Sequence, residues 1–239
     1  RAGCEQSLMA RQLYELAGSD PARLFSPYCW RTRMALAHKG LDFETVPWRF
    51  AQKDTIKAFG SEKVPVLIDG DAQVNDSWAI AEYLEDTYPD KPALFGGEGG
   101  RGMARFFNNW SDVSVGQIAP FIIADIYDQL DAGDKDYFRR TREKNMGRPL
   151  EEVVAGREQR LDSLHKWLHP LRMTVRTQPF IGGARPNYAD YIVFGPFQWA
   201  RVTSPFELLK PDDLIHAWRE RMLDLFDGMA RKAPVVEAT

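Results

Sequence analysis

The sequence has 239 residues, of which 44% are hydrophobic and 27% are charged, the balance of a globular protein with a substantial core. Its formal net charge of −3 provides no excess of positive charge, which disfavours nucleic acid as a partner. No apolar run approaches the roughly 20 residues that span a bilayer, so no membrane partner is expected either.

The first residues give no sign of a secretory signal, because they lack an apolar central stretch. Met9 resembles a natural start, so residues 1–9 are interpreted as a leader or an expression remnant. The two cysteines, Cys4 and Cys29, then reduce to one in the folded body, which excludes an internal disulfide framework. A reducing cytoplasm is therefore the expected location.

The next segments alternate between strand and helix patterns. Gln12 to Leu16 has the composition of a strand, and Pro27 to Lys39 places apolar residues at helical spacing before a stop at Gly40. Asp42 to Trp48 returns to strand character. The order at this point is strand, helix, strand.

Two strand-like runs between Val64 and Asp76 flank the dipeptide Asp69-Gly70, which predicts a hairpin with its turn at that dipeptide. Asp76 is a good N-cap for the amphipathic helix that follows. This order predicts a thioredoxin-like α/β domain over residues 10–90, with a mixed four-stranded sheet and helices against it.

Composition changes at Tyr88 to Gly100, where prolines and glycines predict a linker, assigned to residues 91–100. Beyond it strand signals fade, and residues 101–239 are predicted to form an all-α domain. Asn187 and Asp190 match a variant capping box at one of its helices. The predicted helical stretches are Arg101 to Leu130, Asp136 to Thr177 with a break near Gly147 and Pro149, and Pro211 to Ala230.

Together these features resemble a cytosolic glutathione transferase. The resemblance covers nearly the whole chain from Ala10 and rests on the serine at the first helix, the Val-Pro before the hairpin, the acidic-Ser pair and the "ADY" capping box. The segments SPYCWRTRMALAHKG, VNDSWAIAEYLEDTYPDKPALF and FIGGARPNYADY most resemble the bacterial β-etherase branch, which uses glutathione to cut β-aryl ethers of lignin-derived compounds. The resemblance implies a homodimer with glutathione as co-substrate.

Ser26, in the stretch LFSPYCWRTR, is the expected catalytic residue. A helix N-terminus favours an anion, and a serine hydroxyl there can donate a hydrogen bond to the bound glutathione thiolate. A cysteine at this position would become covalently attached to glutathione, whereas a serine leaves the sulfur of glutathione as the nucleophile. The alternative is that Ser26 is only an N-cap. Cys29 is expected to be a small buried hydrophobe.

The resemblance also implies a binding site for the glutathione backbone. Pro65 resembles the family's cis-proline, which would let the N–H and C=O of Val64 pair with the cysteinyl moiety; the alternative is a trans proline at an edge strand. Lys63 matches a position that often meets the glycyl carboxylate. Arg49 and Lys53 are weaker candidates for that role, and a solvated surface position is favoured for both.

Asp76 and Ser77 match the acidic-Ser pair that recognises the γ-glutamyl end of glutathione. The hydroxyl and the helix N–H groups would take its carboxylate, and the acid would help to place its amino group. Simple helix capping is compatible with this role, since a cap can also line a pocket.

The electrophile, a hydrophobic aromatic small molecule, is expected to bind between the two domains. The candidate lining residues are Tyr28, Phe106, Trp110, Phe121, Tyr127 and Trp199, although aromatic residues at helical spacing more often form a core. His165 and His169 lie four apart on a predicted helix, but no third ligand accompanies them, so no metal site is predicted.

The expected reaction is attack of the thiolate on a carbon that bears an aryloxy group, with release of a phenol. Three alternatives remain open: a detoxifying transferase that acts on haloaromatics or epoxides, a glutathione-dependent thiol oxidoreductase, and a non-catalytic binder of hydrophobic ligands. The oxidoreductase is disfavoured because Ser26 replaces the attacking cysteine.

Overall fold

A computed structural model describes residues 11–237. The predicted leader, residues 1–9, and Cys4 lie outside the described residues. The strands are β1 Gln12–Leu16, β2 Glu44–Trp48, β3 Val66–Asp69 and β4 Ala72–Asn75. The helices are α1 Pro27–His38, α2 Lys53–Lys57, α3 Ser77–Thr87, α4 Glu98–Asp128, α5 Ala132–Met146, α6 Leu150–Val154, α7 Arg157–Trp167, α8 His169–Thr177, α9 Tyr188–Thr203 and α10 Leu214–Gly228.

The strands form one mixed four-stranded sheet in the order β2-β1-β3-β4. β1 runs parallel to β2 and antiparallel to β3, which is itself antiparallel to β4. This α/β arrangement, followed by the helical second half, confirms the predicted fold class of a thioredoxin-like domain and an all-α domain.

The hairpin turn lies one residue later than predicted. Asp69 pairs with Ala72, which leaves Gly70 and Asp71 as the turn residues. Gly70 takes the left-handed conformation, with φ of 60°, that such a turn requires and that glycine adopts without steric cost. Asp69 remains a strand residue, where its carboxylate pairs with Arg11 at 3.1 Å.

The first long helix, α4, begins at Glu98 rather than at Arg101, so the glycine-rich end of the predicted linker is helical. Gly97 precedes the helix with φ of 103°. Gly100 lies so close to Phe95 that an added Cβ would be 1.8 Å from the Phe95 carbonyl oxygen. Gly97 therefore allows the turn before the helix, and Gly100 allows the close approach to the Phe95 backbone. Neither glycine indicates a flexible segment.

The later helices also differ from their predicted bounds. The stretch predicted from Asp136 begins at Ala132, where Asp131 caps α5, and it divides into four helices instead of two. Gly147 and Pro149 do form the predicted break. The last helix begins at Leu214 because Asp213 accepts a hydrogen bond from the Ile215 N–H, as an N-cap does.

The α9 helix joins the two halves of the chain, because it packs against both α1 and α4. Asn187 and Asp190 form the predicted capping box at its start. A Cβ added at Gly195 would be 2.3 Å from the Pro27 carbonyl oxygen, so α9 touches the backbone of α1 directly. The Tyr188 hydroxyl donates to the Ser77 carbonyl at 2.7 Å, a second tie between the halves.

A buried ion pair connects β1 to α1. The Glu15 carboxylate is 1% exposed and accepts hydrogen bonds from the Arg33 guanidinium, at 3.1 Å from Nε, and from the Thr45 hydroxyl at 3.0 Å. Burial raises the pKa of Glu15, and the Arg33 charge opposes that rise. Arg33 and Thr45 therefore supply the buried carboxylate with the hydrogen-bond donors that it would otherwise find in water.

Between residues 11 and 237, none of the helices combines the length and the apolar character that crossing a membrane requires.

Candidate active site

Ser26 is the N-cap of α1. Its Oγ accepts a hydrogen bond from the Cys29 N–H at 3.3 Å, and Pro27 supplies the fixed φ that suits the first helical position. A hydroxyl that accepts from the backbone can at the same time donate its own proton to another group. Ser26 is 4% exposed, and that residual exposure faces a cavity between the two domains.

Cys29, one turn into α1, is buried, as the sequence predicts. Burial raises the pKa of its thiol to about 12, so the sulfur stays protonated at neutral pH. A buried neutral thiol packs as a small hydrophobe and is a poor nucleophile.

The Val64-Pro65 peptide bond is cis, as predicted. Val64 and Lys63 both line the cavity beside Ser26. Among the described residues, neither the N–H nor the C=O of Val64 has a hydrogen-bond partner. An unpaired donor and acceptor at a cavity wall suit an extended peptide that adds on like a strand.

Asp76 and Ser77 lie at the start of α3. The Asp76 carboxylate accepts from the N–H groups of Trp78, at 2.9 Å, and Ala79, at 3.2 Å, while its backbone has φ of 75°. Neither residue is part of the cavity wall, which includes Tyr28 but not the α3 terminus. Burial and the negative charges of Asp112 and Asp76 raise the pKa of the Tyr28 phenol, while the Arg31 charge opposes that rise.

The cavity has a volume of about 460 Å³ and lies where the sheet domain meets α4, α5 and α9. Its wall on the side of the sheet domain includes Phe25, Ser26, Tyr28, Trp48, Lys63 and Val64. Its wall on the helical side includes Val115, Ala119, Ile123, Tyr137, Arg142 and Trp199. A concave, aromatic and aliphatic surface with a few polar groups is typical of a small-molecule site.

Of the six predicted lining residues, Tyr28 and Trp199 line this cavity and four do not, which corrects the prediction. Phe106 is 64% exposed on the outer surface of α4. Trp110 stacks on Trp167 with ring centroids 5.8 Å apart. Phe121 is buried against Phe206, and Tyr127 is covered by the Lys135 and Arg139 side chains.

The reason for this difference is the rotation of α4. Its face toward the cavity carries the aliphatic residues Val115, Ala119, Ile123 and Ile126 at helical spacing, so the aromatic residues of the same helix point elsewhere. Aromatic composition alone cannot decide which face of a helix meets the cavity.

Sequence reasoning missed part of the wall. Phe138 and Arg142, four apart on α5, both face the cavity, and this spacing is the signal that could have identified them together. Lys53 also lines the cavity and is half-buried, which corrects its expected surface position. Arg49 does not line it, because its guanidinium donates to the Gly18 and Ser19 carbonyls at 3.0 Å each.

His165 and His169 lie away from the cavity, and the His165 Nε2 is hydrogen-bonded to the Leu208 carbonyl at 2.9 Å. Across residues 11–237 there is no group of three or more His, Cys, Asp or Glu side chains arranged to hold a metal ion.

Several curated proteins and solved structures are similar to this chain. A glutathione S-transferase of Arabidopsis thaliana, Z1, is 38% identical over 89 residues, 33% of this chain and 39% of that protein. A glutathione S-transferase-like protein of Aspergillus flavus, ustS, is 27% identical over 167 residues, 65% of this chain and 56% of that protein. The chain thus spans well under two thirds of the length of these relatives.

The glutathione transferase GSTFuA3 of Phanerochaete chrysosporium superposes with a TM-score of 0.76 at 26% identity, covering 97% of this chain and 100% of that one. The glutathione S-transferase CsGST83044 of Ceriporiopsis subvermispora, solved in complex with glutathione, superposes with a TM-score of 0.80 at 20% identity. The superposition covers 93% of this chain and 100% of that one. The family model for the glutathione S-transferase N-terminal domain matches residues 25–87, and that for the C-terminal domain matches residues 102–227. This chain therefore belongs to the glutathione S-transferase family.

Proposed function

We propose that this chain binds glutathione against Val64, activates its thiol at Ser26 and transfers it to a hydrophobic electrophile. The observation that supports this most is the Ser26 hydroxyl, which caps α1 at the wall of the interdomain cavity, where it can donate to a bound thiolate. A free thiol has a pKa of about 8.5, so a donor at a positive helix end would increase the reactive thiolate fraction at neutral pH.

The remaining contacts to glutathione follow the predicted positions. The Val64 N–H and C=O would pair with the cysteinyl moiety beside Pro65, and Lys63 would meet the glycyl carboxylate. Asp76 and Ser77 would receive the γ-glutamyl end, where the α3 N-terminus favours an anion. The packing of α3 against α1, the helix that Ser26 caps, supports this assignment.

For the electrophile we propose an aryl ether that carries a ketone next to the reacting carbon, as in lignin-derived compounds. The glutathione sulfur forms the new C–S bond, the C–O bond to the aryloxy group breaks, and the phenolate leaves with the electron pair. The aromatic wall, which includes Trp48, Phe50 and Trp199, supports an aryl substrate. A haloaromatic or epoxide substrate in a detoxifying role would use the same wall.

We further propose that the chain acts as a homodimer in the cytoplasm. The apolar side chains of Met103, Phe106 and Val113 are exposed on α4, and Phe106 and Val113 share one face of that helix. Exposed apolar residues grouped on a helix face are typical of a contact with another chain. This assignment replaces the substrate-binding role expected of Phe106.

Three measurements test the proposal. Retention on immobilised glutathione and turnover of a generic aryl halide test glutathione transfer. Release of free phenol from a model ketone that carries the aryloxy group on the adjacent carbon, followed by chromatography, tests ether cleavage. Turnover of the aryl halide without phenol release would favour the detoxifying role. Retention without turnover of any electrophile would refute catalysis and favour a binding protein.

A further inference from the structure

The cavity wall contributed by α5 and its neighbours has a polar corner, defined here as Lys53, Tyr137 and Arg142. All three residues line the cavity. The Lys53 ammonium donates to the Tyr137 hydroxyl oxygen at 3.1 Å and lies 4.4 Å from the centroid of that ring. The corner therefore joins a cation from the sheet domain to a phenol and a second cation from the helical domain.

Arg142 is held in place by aromatic rings and not by an acid. Its guanidinium lies 4.6 Å from the ring centroid of Phe138 and 5.2 Å from that of Phe50, and it donates to the Thr141 hydroxyl at 2.9 Å. Within residues 11–237, neither Arg142 nor Lys53 forms an ion pair with a carboxylate. The only carboxylate on the described cavity wall is that of Glu62.

Tyr137 adds a directed donor to the corner. Because its oxygen accepts the Lys53 hydrogen bond, its own proton is available to a further acceptor. The same hydrogen bond lowers the pKa of the phenol, which makes it a stronger donor. A guanidinium and a phenol O–H that both face an aromatic cavity can donate hydrogen bonds to the two oxygens of a carboxylate or to the single oxygen of a phenolate.

We propose that this corner holds a negatively charged substituent on the aromatic electrophile, so that the chain prefers acidic aryl substrates over neutral ones of equal reactivity. The inference rests on the proposed function, since it concerns the second substrate of the same cavity. Arg142 would supply the charge-assisted hydrogen bonds, Tyr137 a further one, and the surrounding rings would stack on the aryl group. The Arg142 side chain is half-buried, and this partial shielding from water would strengthen the interaction.

The test compares 4-chloro-3,5-dinitrobenzoate with the neutral 4-chloro-3,5-dinitrobenzamide. In both, the glutathione sulfur forms a bond to the ring carbon, the C–Cl bond breaks and chloride leaves with the electron pair. Each kcat/KM is divided by the rate constant with free glutathione thiolate, which removes the difference in intrinsic reactivity. The affinity of the two S-aryl glutathione products is measured by titration calorimetry, which requires no turnover.

The chain is expected to prefer the carboxylate in both measurements. Arg142→Met, which keeps the apolar stem against Phe138, should lower kcat/KM and product affinity for the carboxylate about ten- to hundredfold and change those for the amide less than threefold. Arg142→Lys should recover part of the loss. Arg140, an exposed residue on the same helix, provides the matched control: Arg140→Met should leave kcat/KM and product affinity unchanged for both compounds.

Three results would overturn the inference. The first is equal use and equal binding of the two compounds. The second is an equal loss for both in Arg142→Met. The third is weaker binding of glutathione itself in that variant, which would assign the corner to the glycyl carboxylate. Absence of turnover with both compounds would refute the proposed function, while the product affinities would still decide whether the corner binds the anion.

Discussion

Replacement of Ser26 by alanine tests the proposed activation of glutathione most directly. The hydroxyl is the donor at the start of α1 that faces the cavity, and its oxygen already accepts from the Cys29 N–H. A hydrogen bond to a charged group contributes about 1.5–3 kcal/mol, and one pKa unit corresponds to about 1.36 kcal/mol. Loss of the donor should therefore raise the pKa of the bound glutathione thiol by roughly one to two units.

The expected result is a shift of the ultraviolet thiolate titration to higher pH, with kcat/KM at neutral pH lower by about ten- to hundredfold. Two variants separate activation from helix capping. Ser26→Thr keeps a hydroxyl and should keep most of the thiolate. Ser26→Gly lacks the donor but caps a helix almost as well, so its stability should lie within a few tenths of a kcal/mol of the native chain. An unmoved titration midpoint with an unchanged rate in Ser26→Ala would show that Ser26 only caps the helix.

Three further predictions follow from the contacts described above. Ser77→Ala should weaken glutathione binding about ten- to hundredfold, because the γ-glutamyl carboxylate would lose a charge-assisted hydrogen bond; an unchanged titration isotherm would contradict that role. Phe106→Glu should move the sedimentation coefficient from dimer to monomer, since it places a charge on the exposed α4 face; a native-like value would exclude this face as the interface. Arg33→Met should lower the free energy of unfolding by about 3–5 kcal/mol, because Glu15 loses its buried cation. The loss would be measured as a lower Tm. Removal of that cation raises the pKa of Glu15 in the folded state, so this loss should be larger at pH 8 than at pH 4, and a pH-independent loss would refute the argument.

The features that sequence reasoning predicted well are those that neighbouring residues determine. Ser26, Asp76 and Asn187 each cap a helix whose first turn follows in the sequence, so the residue type and the adjacent pattern suffice. The buried state of Cys29 follows from residue type, because a cysteine without a partner thiol usually packs as a small hydrophobe. Local chemistry of this kind is independent of how the distant segments meet.

The features that it missed depend on tertiary packing. Lys53 and Arg142 are far apart in the chain, and both reach the cavity because the segment around Phe50 packs against α5. Likewise, the rotation of α4 is set by its contacts with α6 and α9, so its aliphatic stripe and not Phe106 or Phe121 meets the cavity. The sequence pattern of α4 alone does not determine how the helix is rotated about its axis.

The contact between Gly195 and the Pro27 carbonyl has a consequence for how the chain can vary. Even a methyl group at position 195 would clash with the Pro27 carbonyl oxygen, so α9 would have to move away from α1 or the segment that follows Ser26 would be displaced. Gly195 itself is not part of the cavity wall. In the proposed mechanism, the alignment of the glutathione sulfur at Ser26 therefore depends on the absence of a side chain at position 195, in the opposite half of the molecule.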